Sequence, residues 1–159
     1  MIILGIDPGI ARTGWGVVKK EGNSVTAIKY GCIATEKELE EEKRLVILHQ
    51  QLKILIDAYE PAIVAVEKLF FASNAKTALT VGQARGVVLL TAGEASLPLF
   101  AYTPLQVKLA ITGYGRADKQ QIQRMVQSML QLPEIPKPDD MADALAVAIT
   151  HAFTNRVSG

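Results

Sequence analysis

The hydrophobic pattern of the chain changes period several times, and each change marks an element. Ile2 to Ile6 is a short, nearly continuous apolar run rich in isoleucine, which predicts a strand buried on both faces. The run ends in Asp7, and Pro8-Gly9 then turns the chain. Thr13 to Lys20 carries Trp15, Val17 and Val18 between glycines and predicts a second strand. Glu21-Gly22-Asn23 is a hairpin signal, and the alternation from Val25 to Thr35 predicts a third strand. Three strands joined by short turns make an antiparallel meander.

From 39 to 59 the period becomes helical: Leu45, Leu48, Leu52, Leu55, Ile56 and Tyr59 share one face. The acids of its first turn suit the positive end of the helix dipole, and His49 falls among polar neighbours as a surface residue. Glu60-Pro61 stops the helix, and Ala62 to Val66 is a further buried strand that ends in Glu67. The intervening helix makes this strand parallel to the first, so that both terminal acids meet at one sheet edge. Lys68 to Phe71 reads as a loop, Ser73 and Asn74 as helix caps, and 74–94 as a helix with Gly82, Gly86 and Gly93 on one face. Glycine inside a helix costs roughly 1 kcal/mol against alanine, so three imply close approach of another element. A second subunit and the protomer's own sheet are equally good partners at this stage.

Leu97 to Tyr102 predicts a fifth strand, and Thr103-Pro104 caps and opens a short helix to about Ile111. A glycine-rich basic loop, Thr112 to Ala117, precedes Asp118, which caps a helix with an apolar stripe of Ile122, Met125, Val126, Met129 and Leu130. The methionines fit a core role. After a proline-punctuated loop, Asp139 N-caps the last helix, which runs to about Thr154. The whole, residues 1–159, reads as one α/β domain without repeat or linker.

Four acids stand out. Asp7 and Glu67 close greasy strands, where a carboxylate is costly to bury unless something positive meets it. Asp140 and Asp143 are three apart and project from one side of the first turn of the last helix. Together they could surround a hard cation. With neither histidine nor cysteine needed, the donor set favours magnesium or manganese over zinc. His151 lies eleven residues beyond Asp140, roughly 16 Å along a helix axis, and cannot share that ion. Nucleophile-elbow, Walker and dinucleotide-binding patterns are absent. An all-carboxylate site suits two-metal phosphoryl chemistry.

Composition narrows the setting. Hydrophobic residues at 49% and charged residues at 21% are globular values. Cys32, the single cysteine, has no disulfide partner in the chain and reads as a packing residue, which fits a reducing cytoplasm. No signal-peptide pattern or membrane-spanning run is visible, so the expectation is a cytoplasmic protein with no membrane association. The net charge of +1 hides an acidic run at 36–44; outside it stand fourteen basic and eleven acidic residues. Metal neutralisation of the four acids would raise that surplus of three to seven, which is compatible with a polyanionic partner.

Ile3 to Gly9 with Thr13-Gly14, Ala65 to Phe70, Asn74-Ala75, Gly82 to Gly86, Gln106 to Lys108 and Asp143 to Ala146, taken in order, resemble the RuvC-type Holliday junction resolvases over essentially the whole chain. The resemblance implies a ribonuclease-H-like fold: a five-stranded mixed sheet, three strands antiparallel and two parallel, flanked by helices. It implies a homodimer that binds four-way junction DNA, works beside a branch-migration helicase complex and nicks two strands symmetrically during recombination and repair. It maps the catalytic, metal-holding acids onto Asp7, Glu67, Asp140 and Asp143, with two Mg2+ ions per site and Mn2+ able to substitute. The third acid position varies in the family. On the DNA-binding side it points to Phe70 as a base-stacking aromatic. Lys108 and Lys119 match basic positions near the scissile phosphate, and Lys76, Arg85 and Arg116 are further DNA-binding candidates. Lys119, in a first helical turn, is unfavourable for the helix dipole until a phosphate arrives. Two other readings stay open: a non-catalytic junction-binding protein, and an actin-like nucleotide phosphotransferase, which shares the Asp-x-Gly turn.

Overall fold

A computed structural model describes residues 1–68 and 75–154. The meander forms as its turn signals require: β1 (Ile2–Asp7), β2 (Arg12–Glu21) and β3 (Ser24–Ala34) pair antiparallel in succession. Helix α1 (Glu41–Tyr59) carries the chain over to β4 (Ile63–Glu67), which lies parallel to β1 with Ile6 opposite Val66. α2 (Ala75–Glu94) leads to β5 (Leu99–Tyr102), parallel to β4. Three helices follow: α3 (Pro104–Thr112), α4 (Lys119–Leu130) and α5 (Asp139–Thr154). The sheet order is β3-β2-β1-β4-β5, so the strand carrying Asp7 is central.

Strand alternation divides the core into two layers. Leu4, Ile6, Val17 and Val64 face α1 and α2, where they meet Leu48, Leu52, Ala84 and Val88. Ile3, Val18, Ile63 and Ala65 face the other way and pack with Val107, Ile111, Val126 and the buried run Leu145–Ile149 of α5. Asp7 and Glu67 continue the odd-numbered series of their strands, so both belong to the α5 side. That parity is what brings the strand acids and the helix acids to one face.

The helix ends follow local chemistry. Thr103 and Asp118 each close a capping box, with Gln106 and Gln121 respectively, and Glu60 ends α1 in the left-handed region at φ 45°.

Several expectations are corrected. Asp139 is not an N-cap: it is the first residue of α5, and the Met141 amide donates to the Pro138 carbonyl at 3.2 Å. His49 is not a surface bystander, because its Nδ1 lies 2.9 Å from Thr91 Oγ1 and its Nε2 3.3 Å from Glu94. It ties α1 to α2. Met125 is 39% exposed and leaves the stripe that Val126 and Leu130 bury. Beyond the helix's own backbone and chain neighbours, ideal Cβ atoms at Gly82, Gly86 and Gly93 would meet no atom of the described residues within 4 Å, so packing on the protomer's own sheet does not explain them. Leu79, Leu89 and Leu90 on the same helix are exposed too. The loop and cap readings at Phe70, Phe71, Ser73 and Asn74 lie outside the described residues. Among the described residues, no helix is long and apolar enough to cross a membrane.

Candidate active site

Glycines set how closely α5 approaches the sheet. A Cβ at Gly5 would lie 2.1 Å from the Ala144 carbonyl oxygen, one at Gly14 would lie 2.0 Å from that of Asp140, and one at Gly16 would lie 2.5 Å from Leu145 Cδ2. No side chain fits at the first two positions without moving helix backbone. This strip of bare backbone on β1 and β2 lets the first turns of α5 settle against the end of β1. The register places Gly14 opposite Asp7. Asp140 is thereby seated over the residue paired with Asp7.

The turn after Asp7 is held as firmly. The buried Thr13 hydroxyl donates to the Gly9 carbonyl at 2.5 Å and accepts from the Gly9 amide at 3.2 Å. A Cβ at Gly9 would lie 2.3 Å from the Arg12 carbonyl, so this turn admits only glycine there. The Thr35 hydroxyl donates to the Ile10 carbonyl and accepts from Arg44 Nε at 2.9 Å, fastening the loop to α1.

The electrostatics couple Asp7 to the other three acids. The Asp7 carboxyl is pushed up to about 8, first by burial, then by Asp143, Glu67 and Asp140, with Lys119 working against them. Burial and then Asp143 raise Glu67, which Lys119 and Lys108 partly relieve. Asp143 is also raised by burial, against the pull of Lys119. Each shift has the sign of a carboxylate denied both water and a sufficient counter-charge.

Two bases supply part of that charge. Arg12 Nε stands 3.3 Å from Asp140 Oδ2, an oxygen that is buried and accepts no hydrogen bond. The ion pair and the missing hydrogen bond are compatible, because proximity alone does not aim the N–H. Lys119 Nζ pairs with Asp139 and lies 3.5 Å from Asp143. With Asp140 and Asp143 drawn toward these bases, no three acids among the described residues close around a common point. The set still fits a hard divalent cation: all-oxygen donors, carboxyl groups raised first by burial and then by one another, and a buried oxygen without a donor among the described residues.

A cleft of about 260 Å³ opens beside Asp7 and Glu67, lined also by Pro8, Lys68, Val81, Arg85 and Pro104. Arg85 Nε is buried without a hydrogen-bond partner among the described residues. Of the basic residues expected from the sequence, Arg85, Lys108 and Lys119 therefore lie at the acids. Arg116 is exposed between α3 and α4, and Lys76 is exposed in the first turn of α2. Phe70 lies outside the described residues. Sequence reasoning missed Arg12 and Lys68, whose only signals are a lone base three residues after Gly9 and a base directly after Glu67. His151 is turned away, buried, with its Nδ1 2.6 Å from the Tyr102 hydroxyl. Cys32 is half-buried with its thiol raised by burial, as befits a packing residue.

A central strand and its parallel neighbour ending in acids, with two more acids on a helix laid across them, define the ribonuclease-H-like class. The model of the family "Crossover junction endodeoxyribonuclease RuvC" matches residues 3–151, and the chain belongs to that family. A RuvC of Desulforamulus reducens is 59% identical over 152 residues, spanning 96% of this chain and 93% of that protein. Among solved structures, Thermus thermophilus RuvC in complex with Holliday junction substrate superposes with a TM-score of 0.94 at 39% identity, covering 98% of this chain and 95% of that one. The yeast mitochondrial Holliday junction resolvase Ydc2 shares the fold at a TM-score of 0.66, with 16% identity over 94% of this chain and 78% of its own. Family membership sets aside the actin-like reading.

Proposed function

We propose that this protein is a Holliday junction resolvase that binds four-way DNA and makes paired, symmetric nicks by divalent-metal-dependent phosphodiester hydrolysis. The observation that carries the reading is geometric: Asp7 and Glu67 end paired parallel strands, and α5 brings Asp140 over Gly14, the residue opposite Asp7. The Asp7 carboxyl, pushed up by burial and by Asp143, Glu67 and Asp140, agrees with it. A divalent cation bound among these acids would restore the group to its carboxylate form.

Asp7, Glu67, Asp140 and Asp143 would hold Mg2+, with Mn2+ as a substitute. When bound, the metal supplies an activated water and charge neutralisation at the phosphate. The chain's own bases do the rest. Lys119 and Lys108, which already temper the acids, bind the phosphate under attack, and Arg85 holds the backbone in the adjoining cleft. Phe70, after Glu67, would stack on a junction base, and Lys76 and Arg116 would meet the DNA further out.

The exposed leucines and bare glycines of α2 support a homodimer through that helix, which would place two sites for the two nicks. A branch-migration helicase complex is the expected partner and the cytoplasm the expected compartment. The test is a synthetic four-way junction with a mobile core, incubated with and without Mg2+. Paired nicks that require the ion support the reading; tight junction binding with no ion-dependent nicking returns the protein to a non-catalytic binding role.

A further inference from the structure

Lys119 and Asp139 each occupy the first position of a helix, α4 and α5 respectively. A cation there opposes the helix dipole and an anion complies with it, so the two helix starts are unequal before any ligand arrives. The ammonium of Lys119 has two acids within reach. It sits on Asp139, and Asp143 stands off at 3.5 Å. Asp139 belongs to neither strand end and is not among the four acids assigned to metal. Both side chains of the pair are about half exposed, so as a stabilising contact it is worth little. It does decide where a positive charge stands in the site.

We infer that Asp139 is a positioning residue: it holds the Lys119 ammonium to one side of Asp143, so that Asp143 stays available to a divalent cation while Lys119 remains beside the phosphate position. The inference rests on the metal-site reading above. Without Asp139, the nearest remaining acid for Lys119 is Asp143 itself, and lysine and cation would compete for one carboxylate. The direction of the charge coupling agrees: the Lys119 ammonium is raised chiefly by its bond to Asp139, and Asp139 is lowered chiefly by Lys119.

A double-mutant cycle on Mn2+ binding by the DNA-free protein, read by electron paramagnetic resonance, separates positioning from plain charge. Asp139→Asn is expected to weaken Mn2+ binding about fivefold when Lys119 is present, and less than about twofold in the Lys119→Met background, where there is no ammonium to stray. Lys119→Met alone is expected to tighten binding, since it removes a competing charge. Equal losses in both backgrounds, or none in either, would overturn the positioning role while leaving the metal site standing. Failure of all four proteins to bind Mn2+ would remove the metal reading and this inference together. Thermal melts of the same four proteins check that folding is retained, because a half-exposed pair should scarcely shift them.

Discussion

Gly14 lies directly beneath the backbone of Asp140: a Cβ at position 14 would stand 2.0 Å from the Asp140 carbonyl oxygen and 2.9 Å from its Cβ. Seating α5 on the sheet and presenting its acids to Asp7 are therefore one packing event. Gly14→Ala is expected to destabilise the protein by roughly 3 kcal/mol, the upper end of the range for overpacking a core, because helix backbone must move. Any folded remainder should have lost the alignment of Asp140 with Asp7. Urea unfolding together with a cleavage assay measures both. Gly22→Ala, in open space at φ 58°, provides the contrast: mild strain and unaltered cleavage.

The pH dependence of the metal-free protein follows from Asp7. Its carboxyl titrates near 8 when folded and near 3.8 when unfolded, so between those values the folded state holds the extra proton. Stability must then fall as pH rises through that window and level off above it. Glu67 and Asp143, also raised, act in the same direction. Lys119 loses its contribution only above its ordinary range, and Asp139 only in acid, so neither disturbs the window. Asp7→Asn should stabilise the metal-free protein at pH 7.5 by ~1–3 kcal/mol and flatten the slope. Chemical denaturation at pH 7.0, 7.5, 8.0 and 8.5, above the range where the lowered His151 ring contributes the opposite slope, checks it; a wild-type stability that rises across this range would contradict the assigned burial and repulsion.

Adding Mg2+ should reverse that slope. A cation bound by the carboxylate forms gains affinity as protons leave, so the increment in melting temperature should grow from pH 6 to pH 8. Differential scanning fluorimetry of wild type and Asp7→Asn measures it. An increment of the same size in both proteins would place the ion elsewhere.

The face of α2 carries a prediction about assembly. Among the described residues nothing fills the space where side chains at Gly82, Gly86 and Gly93 would be, and Leu79 and Leu90 are 65% and 56% exposed. Gly86→Arg should leave the helical circular-dichroism signal intact, since arginine is the better helix former by roughly 0.8 kcal/mol. Sedimentation at micromolar concentration should show a dimer for wild type and a monomer for the variant. A monomeric wild type would count against the dimer.

These features were not equally legible in the sequence. Asp7 and Glu67 were readable because a buried strand ends abruptly in an acid, and the helix between the strands makes them parallel. Asp140 and Asp143 share one side of a helical turn by spacing, but they became candidates only beside Asp7 and Glu67, since an acid in a first helical turn also suits the dipole. The fold class followed from a meander, a crossover helix and two further strands. Asp139 was misread because an acid at a helix start satisfies the capping rule locally; its partner Lys119 is twenty residues away in sequence, and only the packing of α4 against α5 brings them together. His49 looked polar-faced because the residues that receive it, Thr91 and Glu94, belong to another helix. The strand glycines at 5, 14 and 16 had no readable purpose until α5 lay above them.

The central claim is that Asp7 serves hydrolysis rather than folding or DNA binding. Its most direct test sets Asp7→Asn against wild type on a four-way junction in Mg2+, with binding read by gel shift and strand scission by denaturing gel. The account predicts junction affinity within about threefold of wild type and cleavage reduced by at least about a thousandfold. Cleavage within tenfold of wild type, or loss of binding and folding together, would contradict it.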